Sequence, residues 1–194
     1  MTSVELSHLR TARELKEKGE NRKAIEAYEE YLESNPEDIQ ALNEMGKLKI
    51  IIGAQDEAVA AFNKAIQLVP QNAEGYSNKA EAYLSIGDFD NALKASNEGL
   101  ENNGHSALLW KKKARALESM MKIDDAIVAY KEALKADSSD PSTWKALALC
   151  FDAKQKWDEV ARSYRIAANL HDSRGEKREA ERCRRFAKQA EETE

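Results

Sequence analysis

Cysteine is nearly absent from this chain, with only Cys150 and Cys183 in 194 residues. That usage fits a reducing compartment, and both thiols fall at apolar positions where reactivity is not expected. No run of about 18 apolar residues is present to cross a bilayer. Met1 to Arg10 also lack the basic start and apolar stretch of a signal peptide, so the expected location is cytoplasmic, with no membrane partner. Glycine is sparse and never clustered. Gly19, Gly53 and Gly87 fall singly, which excludes a phosphate-cradling loop. The three histidines, His8, His105 and His171, lie far apart, and neither a metal set nor a nucleophile with a positioned base is visible. No catalytic residue, metal or cofactor is therefore expected, and the chain does not read as an enzyme. Strict alternation of apolar and polar residues is missing too, which points to an all-α fold. The formal net charge of −5 argues against generic binding to nucleic acid or to an anionic membrane.

What the sequence does contain is a match to itself every 34 residues. Taking Glu5 as the start of the first unit, the fourth residues are His8, Leu42, Tyr76, Trp110 and Trp144, mostly large. The eighth are always small: Ala12, Gly46, Ala80, Ala114 and Ala148. The twentieth are Ala24, Ala58, Ala92, Ala126 and Val160, and the twenty-fourth Tyr28, Phe62, Ser96, Tyr130 and Tyr164. Alternating small and large columns let two antiparallel helices approach at the small residues while an aromatic fills the space opposite. The period predicts stacked helical hairpins. Trp110 and Trp144, read as packing residues, are each expected to cost about 3–5 kcal/mol on truncation to Ala.

These columns resemble the tetratricopeptide repeat. Gly19, Gly53 and Gly87 stand between paired helices, and Pro36 and Pro70 close units. Later units depart: Met121 and Gln155 replace the Gly, while Gly104, Ser138 and Asp172 replace the Pro. Lys49 departs as well, standing where other units hold Leu15, Tyr83, Leu117 and Phe151, with Leu48, Ile50 and Ile52 expected to fill the space. The resemblance implies a right-handed superhelical solenoid of antiparallel helix pairs with about eleven helices. The units are 5–38, 39–72, 73–106, 107–140 and 141–174. Residues 175–194 form a C-terminal capping helix and acidic tail, with Ala180, Cys183, Ala187 and Ala190 on its apolar stripe beside Phe186. Asp140 before Pro141, Asn72 and Asp88 read as helix caps.

The resemblance also implies that the first helix of each hairpin lines a concave groove. The residues placed there by register are Arg13, Asn43, Lys47, Asn78, Lys111, Lys112, Arg115 and Lys145, a mostly basic set in an acidic protein, while Glu26, Glu29, Glu30 and Glu33 mark the second helices. Some members of the family clamp the carboxylates of chaperone C-terminal tails. Here Asn78 and Lys112 match clamp places, Asn43 and Lys47 have the two types exchanged, and Leu108 replaces a Lys, so the match is partial. The expectation is a protein-interaction adaptor or scaffold whose partner is a protein or an extended acidic or carboxylate-bearing peptide, with no nucleic acid. The alternatives are self-association through end units or the tail, with Glu191, Glu192 and Glu194 entering a neighbour's groove, and, more remotely, a helical-repeat RNA binder.

Overall fold

The structure, a computed structural model, describes residues 3–193. These residues form eleven helices and no strand: α1 (Ser3–Glu17), α2 (Asn21–Ser34), α3 (Ile39–Ile51), α4 (Gln55–Leu68), α5 (Ala73–Ser85), α6 (Phe89–Asn102), α7 (Ala107–Ser119), α8 (Ile123–Ala136), α9 (Pro141–Ala153), α10 (Trp157–Ser173) and α11 (Lys177–Glu191). The chain divides into two compact units, Met1–Asn103 with α1 to α6 and Gly104–Glu194 with α7 to α11.

Two kinds of turn alternate, and each has a sequence cause. Inside a hairpin, the residue after the helix takes a left-handed conformation. Gly19, Gly53 and Gly87 have φ of 74°, 82° and 76°, values that cost glycine nothing. The turn keeps this shape where glycine is lost: Met121 and Gln155 stand at φ 60° and 55°. A side chain there costs about 1–2 kcal/mol, so the fourth and fifth hairpins carry a strain that the first three avoid. Between hairpins the next helix is capped instead. Asp38, Asn72, Ser106 and Asp140, all the last residues of their units, accept from the backbone N–H of Ala41, Glu74, Leu109 and Ser142. Arg174 ends the fifth unit and breaks this column, and no capped helix begins there. Instead α10 runs on to Ser173, and Gly175 at φ 75° makes a turn of the first kind, with Glu176 N–H bonded to the carbonyl of His171. The chain thus folds back on α10. α11 buries Ala180, Cys183, Ala187 and Ala190, and Phe186 meets Tyr164 at 5.2 Å between ring centroids.

The small and large columns do meet. A Cβ added to Gly46 would lie 2.4 Å from the ring of Phe62, so α3 and α4 approach to a distance only glycine permits. Ala12, Ala24, Tyr28 and Leu42 share one core in the N-terminal unit. Two expectations need correction. Trp110 and Trp144 are half-buried, and their indole N–H groups donate to the carbonyls of Gly104 and Ser138 at 2.8 and 2.9 Å. Each tryptophan pins the turn that precedes its helix, and its truncation costs less than that of a fully buried aromatic. Lys49 is not displaced by its neighbours. It occupies the apolar column itself, buried, while Ile52 is exposed. It is held by Glu29 of α2 at 2.8 Å and Glu57 of α4 at 2.7 Å. Burial opposes its charge, but these two carboxylates outweigh burial and raise its pKa.

Candidate functional site

In the N-terminal unit, Asn43 on α3 is buried, and its side-chain oxygen accepts from Asn78 of α5 at 3.2 Å. Lys47, one turn further along α3, is bonded to Glu74 of α5 at 2.7 Å and to Glu44 at 3.3 Å, while Lys16 of α1 also pairs with Glu44. The result is an alternating chain Lys16, Glu44, Lys47, Glu74 across three first helices. Burial works against the charges of Glu44 and Lys47, yet their opposite neighbours win: Glu44 is lowered and Lys47 raised. Lys47 is already neutralised from within.

Beside this chain lies a cavity of about 330 Å³ whose walls include Arg13 and Lys16 of α1, Tyr28 of α2, and Asn43 and Glu44 of α3. The Tyr28 hydroxyl is buried, and among the described residues no well-formed hydrogen bond closes on it, although the Arg13 guanidinium lies close enough to act on it as a donor. Burial pushes its pKa up, and among its neighbours Lys16 and Arg13 favour negative charge at that point. Arg13 is exposed, pairs with no carboxylate among the described residues, and acts on the Tyr28 hydroxyl. The wall therefore brings a guanidinium and a phenol together beside a buried amide, with the carboxylates of Glu17, Glu44 and Glu74 also lining the cavity. A buried phenol without a partner costs about 1–3 kcal/mol, a cost that a bound acceptor would remove.

In the C-terminal unit the expected basic residues have partners one repeat on. Lys111 of α7 donates to Asp140 and to the hydroxyl of Ser142, both at 2.6 Å. Asp140 resists its own burial, because Lys111, Thr143 and Ser142 all bond its carboxyl and hold it far below the usual carboxylate range. Lys145 of α9 reaches Glu179 of α11 at 3.1 Å. Lys112 and Arg115 are also engaged. Of the tail carboxylates, Glu191 pairs with Arg165 and Glu192 with Lys188, while Glu194 lies outside the described residues. The partners Glu74, Asp140 and Glu179 escaped sequence reasoning because each sits about one repeat away, and Tyr28 escaped it because its column reads as packing.

The other chemistry-bearing residues are structural in their surroundings. Burial pushes the Cys150 thiol up to about 12 and raises Cys183 as well, which keeps both protonated. His171 is buried against Glu176 at the α10–α11 turn, and His8 lies 3.7 Å from Glu30. Among the described residues no three His, Cys, Asp or Glu side chains gather as metal ligands, and no helix is long and apolar enough to cross a membrane.

Comparison with known proteins agrees with this architecture. Tetratricopeptide repeat profiles match residues 7–38, 77–141 and 111–174, and a TPR repeat profile matches 50–87. No curated protein matches the sequence significantly. Among solved structures, TTC0263, a thermophilic TPR protein of Thermus thermophilus, is 22% identical, with TM-score 0.71 over 91% of this chain and 98% of its own. MamA from Desulfovibrio magneticus RS-1, from residue 41 to its end, is 18% identical, with TM-score 0.71 over 89% and 98%. YrrB, a TPR protein with an unusual peptide-binding site, is 15% identical, with TM-score 0.60 over 85% of each chain. The 34-residue columns, the two turn types and these matches lead to one conclusion: the chain belongs to the tetratricopeptide repeat family and is a protein-interaction scaffold.

Proposed function

We propose that this scaffold binds an extended peptide bearing a carboxylate, and that the carboxylate enters the cavity formed by Arg13, Tyr28 and Asn43. The observation that carries this reading is the buried Tyr28 hydroxyl, with no well-formed hydrogen bond among the described residues, on the wall that also presents Arg13, which pairs with no carboxylate among them. An acidic side chain or a free C-terminus supplies what both groups lack. The phenol donates one hydrogen bond and the guanidinium two, and bonds to a charged acceptor contribute about 1.5–3 kcal/mol each. Lys47 is assigned a secondary part, since a ligand must compete with Glu74 for it. The rest of the peptide lies along α1, α3 and α5, and affinity near micromolar, about −8 kcal/mol, is expected of such a segment.

A screen of the intact protein against peptides with free and amidated C-termini tests the reading. The expected hits are acidic or free-acid peptides that lose at least tenfold with Arg13→Glu and several-fold with Tyr28→Phe. Tyr28→Phe removes only the unpartnered hydroxyl, so the fold should be as stable as the parent or more so. Hits that bind equally as neutral amides, or that ignore Arg13→Glu, would overturn it.

A further inference from the structure

Each unit carries a groove built at the same repeat positions, and the two grooves differ in chemistry. In the C-terminal unit, α8 and α10 form the walls and α9 the floor of a groove of about 500 Å³, with Trp144, Leu147 and Phe151 beneath. In the N-terminal unit, α2, α3 and α4 enclose about 480 Å³ over Leu42, Met45 and Lys49, the residues three repeats earlier. The rims have opposite sign. Glu29 and Glu33 on α2 stand where α8 has Lys131 and Lys135, and Ala60 on α4 stands where α10 has Arg162.

In the N-terminal groove the floor charge is already engaged, because Lys49 rises to meet Glu29 and Glu57. The C-terminal groove has no such charge in its floor. Phe151 lies in the floor in place of Lys49, with the Lys131 ammonium 5.5 Å from its ring centre. The indole N–H of Trp144 is tied back to Ser138, leaving the indole ring on the groove side. Lys131, Lys135 and Arg162 are exposed, Lys135 pairs with Glu132 of its own helix at 2.5 Å, and Glu159 is the lone carboxylate among the described residues that line the groove.

We infer that the α8–α9–α10 groove is a second docking site, one that takes an acidic amphipathic helix of a partner protein. Two parallel walls and an apolar floor suit a helix laid in a groove, with bulky apolar side chains at i and i+3 or i+4 over Trp144 and Phe151. The cationic rim selects carboxylates on the flanks of that helix. The chain's own acidic helix is unsuited to the role, because Ile25, Tyr28 and Leu32, the apolar face of α2, are buried in its own unit. A second copy is therefore not the occupant.

The test is fluorescence anisotropy of a labelled 14-residue amphipathic peptide, acetylated and amidated so that it has no free C-terminus, with Leu and Phe on one face and Glu on its flanks. The full chain should bind it saturably. Binding should fall at least tenfold with Lys135→Glu/Arg162→Glu, fall similarly when the peptide's Glu are replaced by Gln, and stay unchanged with Arg13→Glu. Both rim residues are exposed, and a thermal melt confirms that the double variant is folded. Trp144→Phe, which keeps an aromatic in the floor, should weaken binding by less than the rim reversal does. Absence of saturable binding, equal binding of the Gln peptide, or indifference to the rim reversal would overturn the proposal. So would a concentration-dependent rise in the mass of the chain alone that Lys135→Glu/Arg162→Glu abolishes, which would make a second copy the occupant. Loss with Arg13→Glu alone would also overturn it, by placing the peptide in the N-terminal cavity.

Discussion

Lys49 and Phe151 occupy the same place in two hairpins, three repeats apart, and the fold accepts either. In the N-terminal unit the position is a buried ammonium held between carboxylates of the helices on both sides. In the C-terminal unit it is a buried ring with an ammonium over its face. The comparison separates two requirements that a repeat usually fuses. Packing needs the volume to be filled, which either the lysine stem or the phenyl ring can do. Surface chemistry depends on where the charge ends up: locked inside the groove in one case, displaced to its rim in the other. The repeat fixes the former and leaves the latter free to vary.

The largest way to break the comparison is to remove the filler. Phe151→Ala should cost about 3–5 kcal/mol in a denaturant melt, the range for buried aromatics. A loss below about 1 kcal/mol would show that Phe151 does not hold the floor. Next comes close approach: Gly46→Ala should cost about 1–3 kcal/mol through its clash with Phe62, and Phe62→Leu in the same chain should recover part of it. A neutral Gly46→Ala would mean that α3 and α4 are not in contact there.

Turn strain predicts gains in the C-terminal unit only. Met121→Gly and Gln155→Gly should each stabilise by about 0.5–1 kcal/mol, because glycine relieves a left-handed side chain while adding freedom to the unfolded chain. Gly53→Ala in the N-terminal unit should do the reverse.

The smallest effect sharpens the comparison. Lys49→Leu restores the column's usual residue and should change stability by less than about 1 kcal/mol at neutral pH, since Glu29 and Glu57 are exposed and lose little when unpaired. Its difference from the parent should nevertheless depend on pH. A lysine raised in the folded state contributes fully below its unfolded value, near 10.4, and loses that contribution as pH rises through the folded value. The parent should therefore lose ground to Lys49→Leu only in strongly alkaline solution. A difference that varies between pH 6 and 9 would contradict the assignment.

The fold was legible because its rules are short-range and periodic. Small residues opposite aromatics, glycine at the hairpin turn and capping residues at unit ends each recur at one spacing, so a single sequence displays them several times over. The capping column even marks the end of the array, since Arg174 interrupts it where α10 folds back onto α11. The site was legible only as a set of helix faces. Arg13, Asn43 and Lys47 were placed by register, but register does not reveal that Lys47 and Lys111 are paired with Glu74 and Asp140 on the following repeat, or that Arg13 lies instead beside the Tyr28 hydroxyl. It is equally silent on Tyr28, whose ring fits the packing column and whose buried hydroxyl has no well-formed hydrogen bond among the described residues. The expectation that Leu48, Ile50 and Ile52 fill the space at Lys49 failed for the same reason: the partners that let Lys49 fill it lie 20 residues back and 8 ahead, on two other helices.

The central claim is that a ligand carboxylate is held by Arg13 and the Tyr28 hydroxyl. The most direct measurement is a calorimetric titration of the intact chain with one peptide hit in two forms, as the carboxylate and with that carboxylate amidated, repeated on Tyr28→Phe. The account predicts that amidation costs the parent about tenfold in affinity, and that this penalty shrinks in Tyr28→Phe because the shared hydrogen bond is already gone. An amidation penalty of the same size in both proteins would contradict it.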